Sequence, residues 1–350
     1  MTVRKFILDE EDTDSELVNQ FFSFVIDNKD YEVEYLKCDD ILLTTVPEQL
    51  ATVMCRVVEL SLDGGMQLSK KQSYYIFKAI GQFTDLKLKK LVLFDVTMKN
   101  LDAESFASAL TNIEEVCFGY VKLSGAQLQA VFSAILKKPV LKLRVIDILA
   151  YNFLSRVRDA ETMTKALCRV QRVGFLECHL STNKFTAMFT NILNAPMLPL
   201  HTLTLEFENV CGVPSSVLAK AICRLKRFAV YGDFTVTTSQ LEKLCLEIVD
   251  CKDLSLTHFS LRMLMGVGGV KEDILASAIN RLEIVELGNC CTDVQLDAIF
   301  QKAVGCSDSK LKELYLPSIS IGKHTKVNQA LVKKIWEKVK IWTDEMLFFS

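Results

Sequence analysis

The stretch Leu200-His201-Thr202-Leu203-Thr204-Leu205 carries apolar residues at its first, fourth and sixth places and polar residues between them. Its last four residues alternate with a period of two, the signature of a strand with one buried face. The spacing recurs outward in both directions. Upstream it reads Leu143/Ile146/Ile148 and Val170/Val173/Phe175; downstream it reads Leu225/Phe228/Val230, Cys251/Leu254/Leu256 and Leu282/Val285/Leu287. Twelve such runs start at residues 3, 33, 57, 88, 113, 143, 170, 200, 225, 251, 282 and 311, at a mean interval of 28.0 residues. A fixed period of this length is the mark of a repeat architecture.

Each run leads through a turn into a segment with helical spacing, and these segments come in two styles. One is compact, as in Phe106-Ala-Ser-Ala-Leu110 and Leu275-Ala-Ser-Ala-Ile279; the other opens on glutamine, as in Gln127-Leu-Gln-Ala-Val-Phe132 and Gln240-Leu-Glu-Lys-Leu-Cys245. One strand and one helix cannot bury an apolar face alone, whereas stacked copies can. Right-handed crossovers then lay the strands parallel with the helices on one side. A doubly wound sheet also alternates strand and helix, but does not keep so short a period through twelve units.

At this point the chain resembles the leucine-rich repeat family, most closely the ribonuclease-inhibitor-like subclass with repeats of about 28 residues. The resemblance covers nearly all of residues 3–342 and rests on repeats such as Leu203-x-Leu205 and Val285-x-Leu287-Gly-Asn-Cys290. It implies an α/β fold: a solenoid horseshoe of about 12 strand–helix leucine-rich repeats with a parallel inner sheet and outer helices. The family usually places Asn or Cys just past the strand. Cys178 and Cys290 conform, while Val96, Val121, Tyr151 and Phe259 depart from that pattern.

No linker or composition shift divides the chain, so residues 1–350 read as one solenoid, with residues 1–32 and 311–350 as its capping repeats. The acidic segment Asp9–Asp14 reads as a solvated loop leading to a helix that opens at Thr13-x-x-Glu16, a capping box. Val327–Trp342 reads as a longer helix, and Met346-Leu-Phe-Phe-Ser350 as an apolar lid on the last repeat. The three-residue apolar stretch at the N-terminus runs straight into acid, so no secretory segment is expected there, and no apolar run reaches the length of a membrane span. Twelve cysteines without framework spacing, and no Asn-x-Ser/Thr sequon, favour a reducing compartment, cytoplasmic or nuclear.

Composition narrows function. Lys and Arg number 41 against 43 Asp and Glu, a formal charge of −2, and a near-neutral chain is a poor general binder of nucleic acid or anionic membrane. No Cys-x-x-Cys or His-x-x-x-His pair offers a metal site, and Cys178-His179 points to opposite faces. Gly266-Val-Gly-Gly-Val-Lys271 lacks the phosphate-loop frame and follows the helix-like stretch Leu261–Met265, so it reads as a turn. With no nucleophile elbow or paired carboxylates, no enzyme, cofactor or metal is expected.

A protein–protein interaction scaffold remains, its partner docking on the concave sheet face. The solvent-facing residues of each run are the third, fifth, seventh and eighth. They include fourteen acids against five bases, −9 in a chain of −2, which suits a partner with a basic patch. Within that face Val92, Phe94, Cys117, Val145, Leu149 and Leu176 form an apolar stretch. With Glu115, Asp147, Glu206 and Tyr231 they make up the expected partner-binding residues. Family uses also imply a substrate-recognition subunit, of a ubiquitin ligase or a sensor, or a regulator of a small GTPase. The last would need an exposed arginine, for which Arg156 and Arg158 are the candidates.

Overall fold

The computed structural model describes residues 2–8, 15–28, 31–39, 47–65, 68–97, 101–151, 153–263, 267–288, 291–316 and 329–343. The chain divides into two compact units, Met1–Cys178 and His179–Ser350. The acidic segment Asp9–Asp14, the start of its capping box, Cys290 and the apolar tail lie outside the described residues.

In the first unit the strands are β1 (Thr2–Leu8), β2 (Glu32–Asp39), β3 (Val57–Asp63), β4 (Lys90–Phe94), β5 (Glu115–Gly119), β6 (Val145–Leu149) and β7 (Arg172–Leu176). They alternate with α1 (Ser15–Asp27), α2 (Pro47–Arg56), α3 (Lys70–Gln82), α4 (Ala103–Leu110), α5 (Gly125–Lys137) and α6 (Ala160–Leu167). Every consecutive strand pair is parallel, in chain order. The second unit opens on α7 (Thr182–Asn194) and continues with β8 (Thr202–Glu206), α8 (Ser215–Cys223), β9 (Arg227–Gly232), α9 (Thr238–Asp250) and β10 (His258–Met263). It ends with α10 (Glu272–Ile279), β11 (Ile284–Leu287), α11 (Asp293–Gly305), β12 (Glu313–Leu316), α12 (Gln329–Trp336) and β13 (Lys340–Thr343). Its strands too are parallel and in order. This is the leucine-rich-repeat type of α/β solenoid.

The alternation that decided the strands holds in space. On β4, Leu91 and Leu93 are fully buried while Lys90, Val92 and Phe94 are half-buried on the other face. On β8, Leu203 and Leu205 are buried and Thr202, Thr204 and Glu206 are not. The buried face meets the helices through aromatic contacts: Phe77 (α3) packs on Phe106 (α4) at 5.0 Å, and Phe106 lies 6.5 Å from Phe118 on β5.

The structure corrects five expectations, four of which follow from one shift. The tenth run is Leu256/Phe259/Leu261, shifted by five residues, because α9 continues through Asp250 and Cys251 is its C-terminal cap. Leu261–Met263 is therefore strand, Phe259 is core, and Asp253 sits in an exposed turn, off the sheet face. Finally, the helix expected over Val327–Trp342 stops at Trp336, and Trp342 belongs to a thirteenth strand paired with β12.

The two helix styles prove to be a strict alternation. Odd-numbered helices have 13 residues, and even-numbered ones have 8 to 10. Polar residues lock the pairs. At or just past the end of each short helix, a side chain reaches back to backbone carbonyls at the C-terminus of the preceding long helix. Arg56 donates to Val25 and Ile26, Asn112 to Gly81, and Arg169 to Ile135, Leu136, Lys138 and Pro139. In the second unit Arg224 donates to Ile192, Leu193 and Ala195, Arg281 to Ile248, Val249 and Cys251, and Lys338 to Val304. Those carbonyls have no partner inside their own helix, and a cation there also meets the negative end of the helix dipole.

Long-helix N-termini are held by a second device. Ser124/Gln127, Thr237/Gln240 and Thr292/Gln295 form reciprocal capping boxes. The same glutamines donate onward to carbonyls of the preceding repeat, Gln240 to Val210 at 2.8 Å and Val213 at 2.7 Å. At α7 the glutamine is replaced by Lys184, and Ser181 makes no side-chain cap bond; burial pushes the Lys184 ammonium below its usual pKa. Lys184→Gln is expected to restore the box and stabilise the chain by about 1 kcal/mol, read as a rise of a few degrees in melting temperature.

Candidate functional site

The face of β4–β7 opposite the helices is a grid set by register. Lys90, Glu115, Val145 and Arg172 form one row; Val92, Cys117, Asp147 and Gly174 the next; Phe94, Gly119, Leu149 and Leu176 the third. The eight first-unit residues expected to contact a partner all lie in this grid. Glu206 and Tyr231 are in register with each other on β8 and β9 of the second unit, where the Arg262 guanidinium sits 5.8 Å from the Tyr231 ring.

Two close approaches shape the grid. A Cβ on Gly119 would meet the Phe94 ring at 2.2 Å, so one edge of the ring lies close over that glycine. One on Gly174 would meet an Asp147 carboxylate oxygen at 2.5 Å. Asp147 receives the Arg172 guanidinium at 2.7 Å. Burial nevertheless raises its carboxyl above the usual carboxylate range; Arg172 opposes that shift and Glu115 adds to it. Cys117 beside it is pushed up by burial and then by Asp147. Cys38, Cys55, Cys223 and Cys245 are pushed up to about 12, chiefly by burial, so these thiols stay protonated and pack as apolar groups.

Past the third row the strands end in left-handed turns. Asp95, Tyr120 and Glu177, each the eighth residue of its run, have φ of 51°, 51° and 57°. Such a backbone costs a residue with a Cβ about 1–2 kcal/mol. Tyr120 packs edge-on against Phe94 with centroids 5.5 Å apart and donates its hydroxyl to Glu177 at 3.0 Å. Beside them, Phe94, Tyr120, Tyr151, Phe153, Lys122 and Arg156 help line a pocket of about 450 Å³. Sequence reading missed this pocket, although the shared eighth place of Asp95 and Tyr120 was a usable signal. Arg156 and Arg158 are both exposed, and Arg156 also donates to the Leu123 carbonyl at 2.6 Å.

The tenth-run correction changes the charge of the solvent-facing set. Asp253 leaves it and Arg262 enters, so thirteen acids face six bases. Among residues whose side chains are described, most of the excess sits on the first unit, with six acids against four bases. Lys37, Lys90 and Arg172 are paired there with Asp63, Glu59 and Asp147. Asp95 and Glu115 make no ion pair among the described residues. In the second unit Glu286 accepts from Ser260 at 2.7 Å and Arg262 at 3.0 Å.

Cys178 and His179 do diverge: the thiol is buried and donates to the Ile148 carbonyl at 3.2 Å, while His179 is exposed. Among the described residues no His, Cys, Asp and Glu cluster suits a metal ion, and no helix is long and apolar enough to cross a membrane.

No protein-family model matches the chain, and no curated protein sequence is similar to it. Among solved structures, the chain is similar to one in the crystal structure of the Rad7 and Elc1 complex in yeast. That likeness is 10% identical, covers 91% of this chain and 89% of that one, and has a TM-score of 0.42.

Proposed function

We propose that the grid on β4–β7 is a docking surface for a partner protein with a basic patch, and that the chain is a non-catalytic interaction scaffold. The observation that carries this reading is the run of half-buried apolar side chains, Val92, Phe94, Cys117, Val145, Leu149 and Leu176, on an otherwise polar sheet face, with Asp147 among them and Glu115, Asp95, Glu177, Lys90 and Arg172 around them. Apolar surface within a charged surround is the anatomy of a protein interface. The surplus of carboxylates on the same unit supports a cationic partner, with association weakened by salt. Strand–helix repeats of about 28 residues, each with a full α-helix, support the ribonuclease-inhibitor-like subclass.

Affinity capture followed by mass spectrometry tests the reading, with Phe94→Ala and Leu149→Ala beside the native chain. Each substitution is expected to lower affinity for a captured basic partner about tenfold, as truncation of an interface anchor does. Binding should also fall as pH drops through the raised pKa of Asp147, because protonation removes the charge that a cationic partner seeks. Capture unchanged in both variants would exclude this face, and so would melting temperatures lowered as far as by a core substitution.

A further inference from the structure

The pocket at the end of β4–β6 has a chemistry more selective than the face around it. Phe94 and Tyr120 meet at an interplanar angle of 85°, two walls at a right angle. The Tyr120 hydroxyl is tied to Glu177, which fixes that ring in place. Phe153 is buried in the lining, and Tyr151 in the same lining is 63% exposed. The remaining lining carries two cations, Lys122 and Arg156, against one carboxylate, Asp95. Arg156 cannot swing away without giving up its bond to the Leu123 carbonyl.

The candidate guests are the large side chains that anchor protein interfaces, chiefly tryptophan, tyrosine and arginine. A guest guanidinium or ammonium would be held against Arg156 and Lys122, with Asp95 the one lining carboxylate to offset two like charges. A leucine would gain only burial. An aromatic ring can use more of the lining: it packs against the Phe94 and Tyr151 side chains, and its negative face attracts the cations.

We propose that this pocket receives a large aromatic side chain, tryptophan above all, projecting from the partner protein. The inference rests on the docking reading for its biological sense and gives the basic partner a specific anchor: an aromatic residue flanked by the positive charges that suit Asp147 and Glu115.

Amino-acid amides test the pocket without any partner. Nuclear magnetic resonance of the full-length chain, following the Ala150 methyl and the rings of Phe94 and Tyr120, is titrated with N-acetyl-tryptophanamide, N-acetyl-leucinamide and N-acetyl-argininamide. The tryptophan probe is expected to saturate these shifts in the low-millimolar range, at least about fivefold tighter than the leucine or arginine probe. Tyr151→Ala should weaken it about fivefold and Lys122→Gln two- to threefold, with melting temperatures unchanged. Preference for the arginine or leucine probe, or no saturable shift in the native chain, overturns the proposal. So does full retention of the response in Tyr151→Ala. Because no partner is present, this experiment can fail while Phe94→Ala still weakens capture, and can succeed where capture is unaffected.

Discussion

Leu203→Asp is expected to leave the chain unfolded, whereas Thr204→Asp, one residue along the same strand, leaves it folded. Leu203 is fully buried and Thr204 lies on the opposite face of β8. An aspartate at 203 must either hold an unpaired charge in an apolar layer or take up a proton there. In either case the Leu203 packing is lost as well. An uncompensated buried charge costs about 3–5 kcal/mol, and loss of a buried leucine another 2–5 kcal/mol. Together these come to about 5–10 kcal/mol, comparable with the 5–15 kcal/mol by which a domain is usually stable. Thr204→Asp should shift stability by less than about 1 kcal/mol, since its carboxylate keeps its water. Circular dichroism of the two variants decides the point; equal behaviour would mean that the strand register is wrong by one residue.

Arg169→Lys is expected to destabilise nearly as much as Arg169→Ala, by about 2–4 kcal/mol. The guanidinium reaches four carbonyls, those of Ile135, Leu136 and Lys138 at 2.6–2.7 Å and that of Pro139 at 3.3 Å. Its fork spans them with separate N–H groups, whereas an ammonium is a point charge that cannot satisfy all of them at once. Each carbonyl left without a donor in a part-buried setting costs on the order of 1 kcal/mol. Denaturant melts provide the measurement. A lysine variant within about 0.5 kcal/mol of the native chain would show that charge at the α5 C-terminus matters and the fork does not.

The fold was legible because burial on a strand is written at every second residue, and apolar triplets such as Leu282/Val285/Leu287 stand out against polar neighbours. Cys251/Leu254/Leu256 fitted that template as well as Leu256/Phe259/Leu261 did, and periodicity alone could not choose. Distance from the helix could have chosen. The long helices end at residues 27, 82, 137, 194 and 305, and the next runs begin at 33, 88, 143, 200 and 311, always six residues on. Applied to α9, which ends at Asp250, that interval points to Leu256.

The site was half legible. Which strand residues face away from the helices followed from parity, and Val92, Phe94, Val145, Asp147 and Leu149 fall where parity put them. The pocket did not follow, because it depends on left-handed turns at Asp95 and Tyr120 and on how Tyr151 and Phe153 fold beside them. Those are properties of backbone geometry that alternation does not encode.

The back-reaching donors at positions 56, 112, 169, 224, 281 and 338 recur every 55 to 57 residues, twice the spacing of the strands. The natural unit of growth for this molecule is therefore a doublet. An ancestor lengthened or shortened by a single strand and helix would set two long helices side by side, with a guanidinium facing the wrong neighbour and a row of carbonyls left bare. Insertions that respect the grammar come two at a time, which gives any engineer of a longer or shorter version a fixed quantum of length.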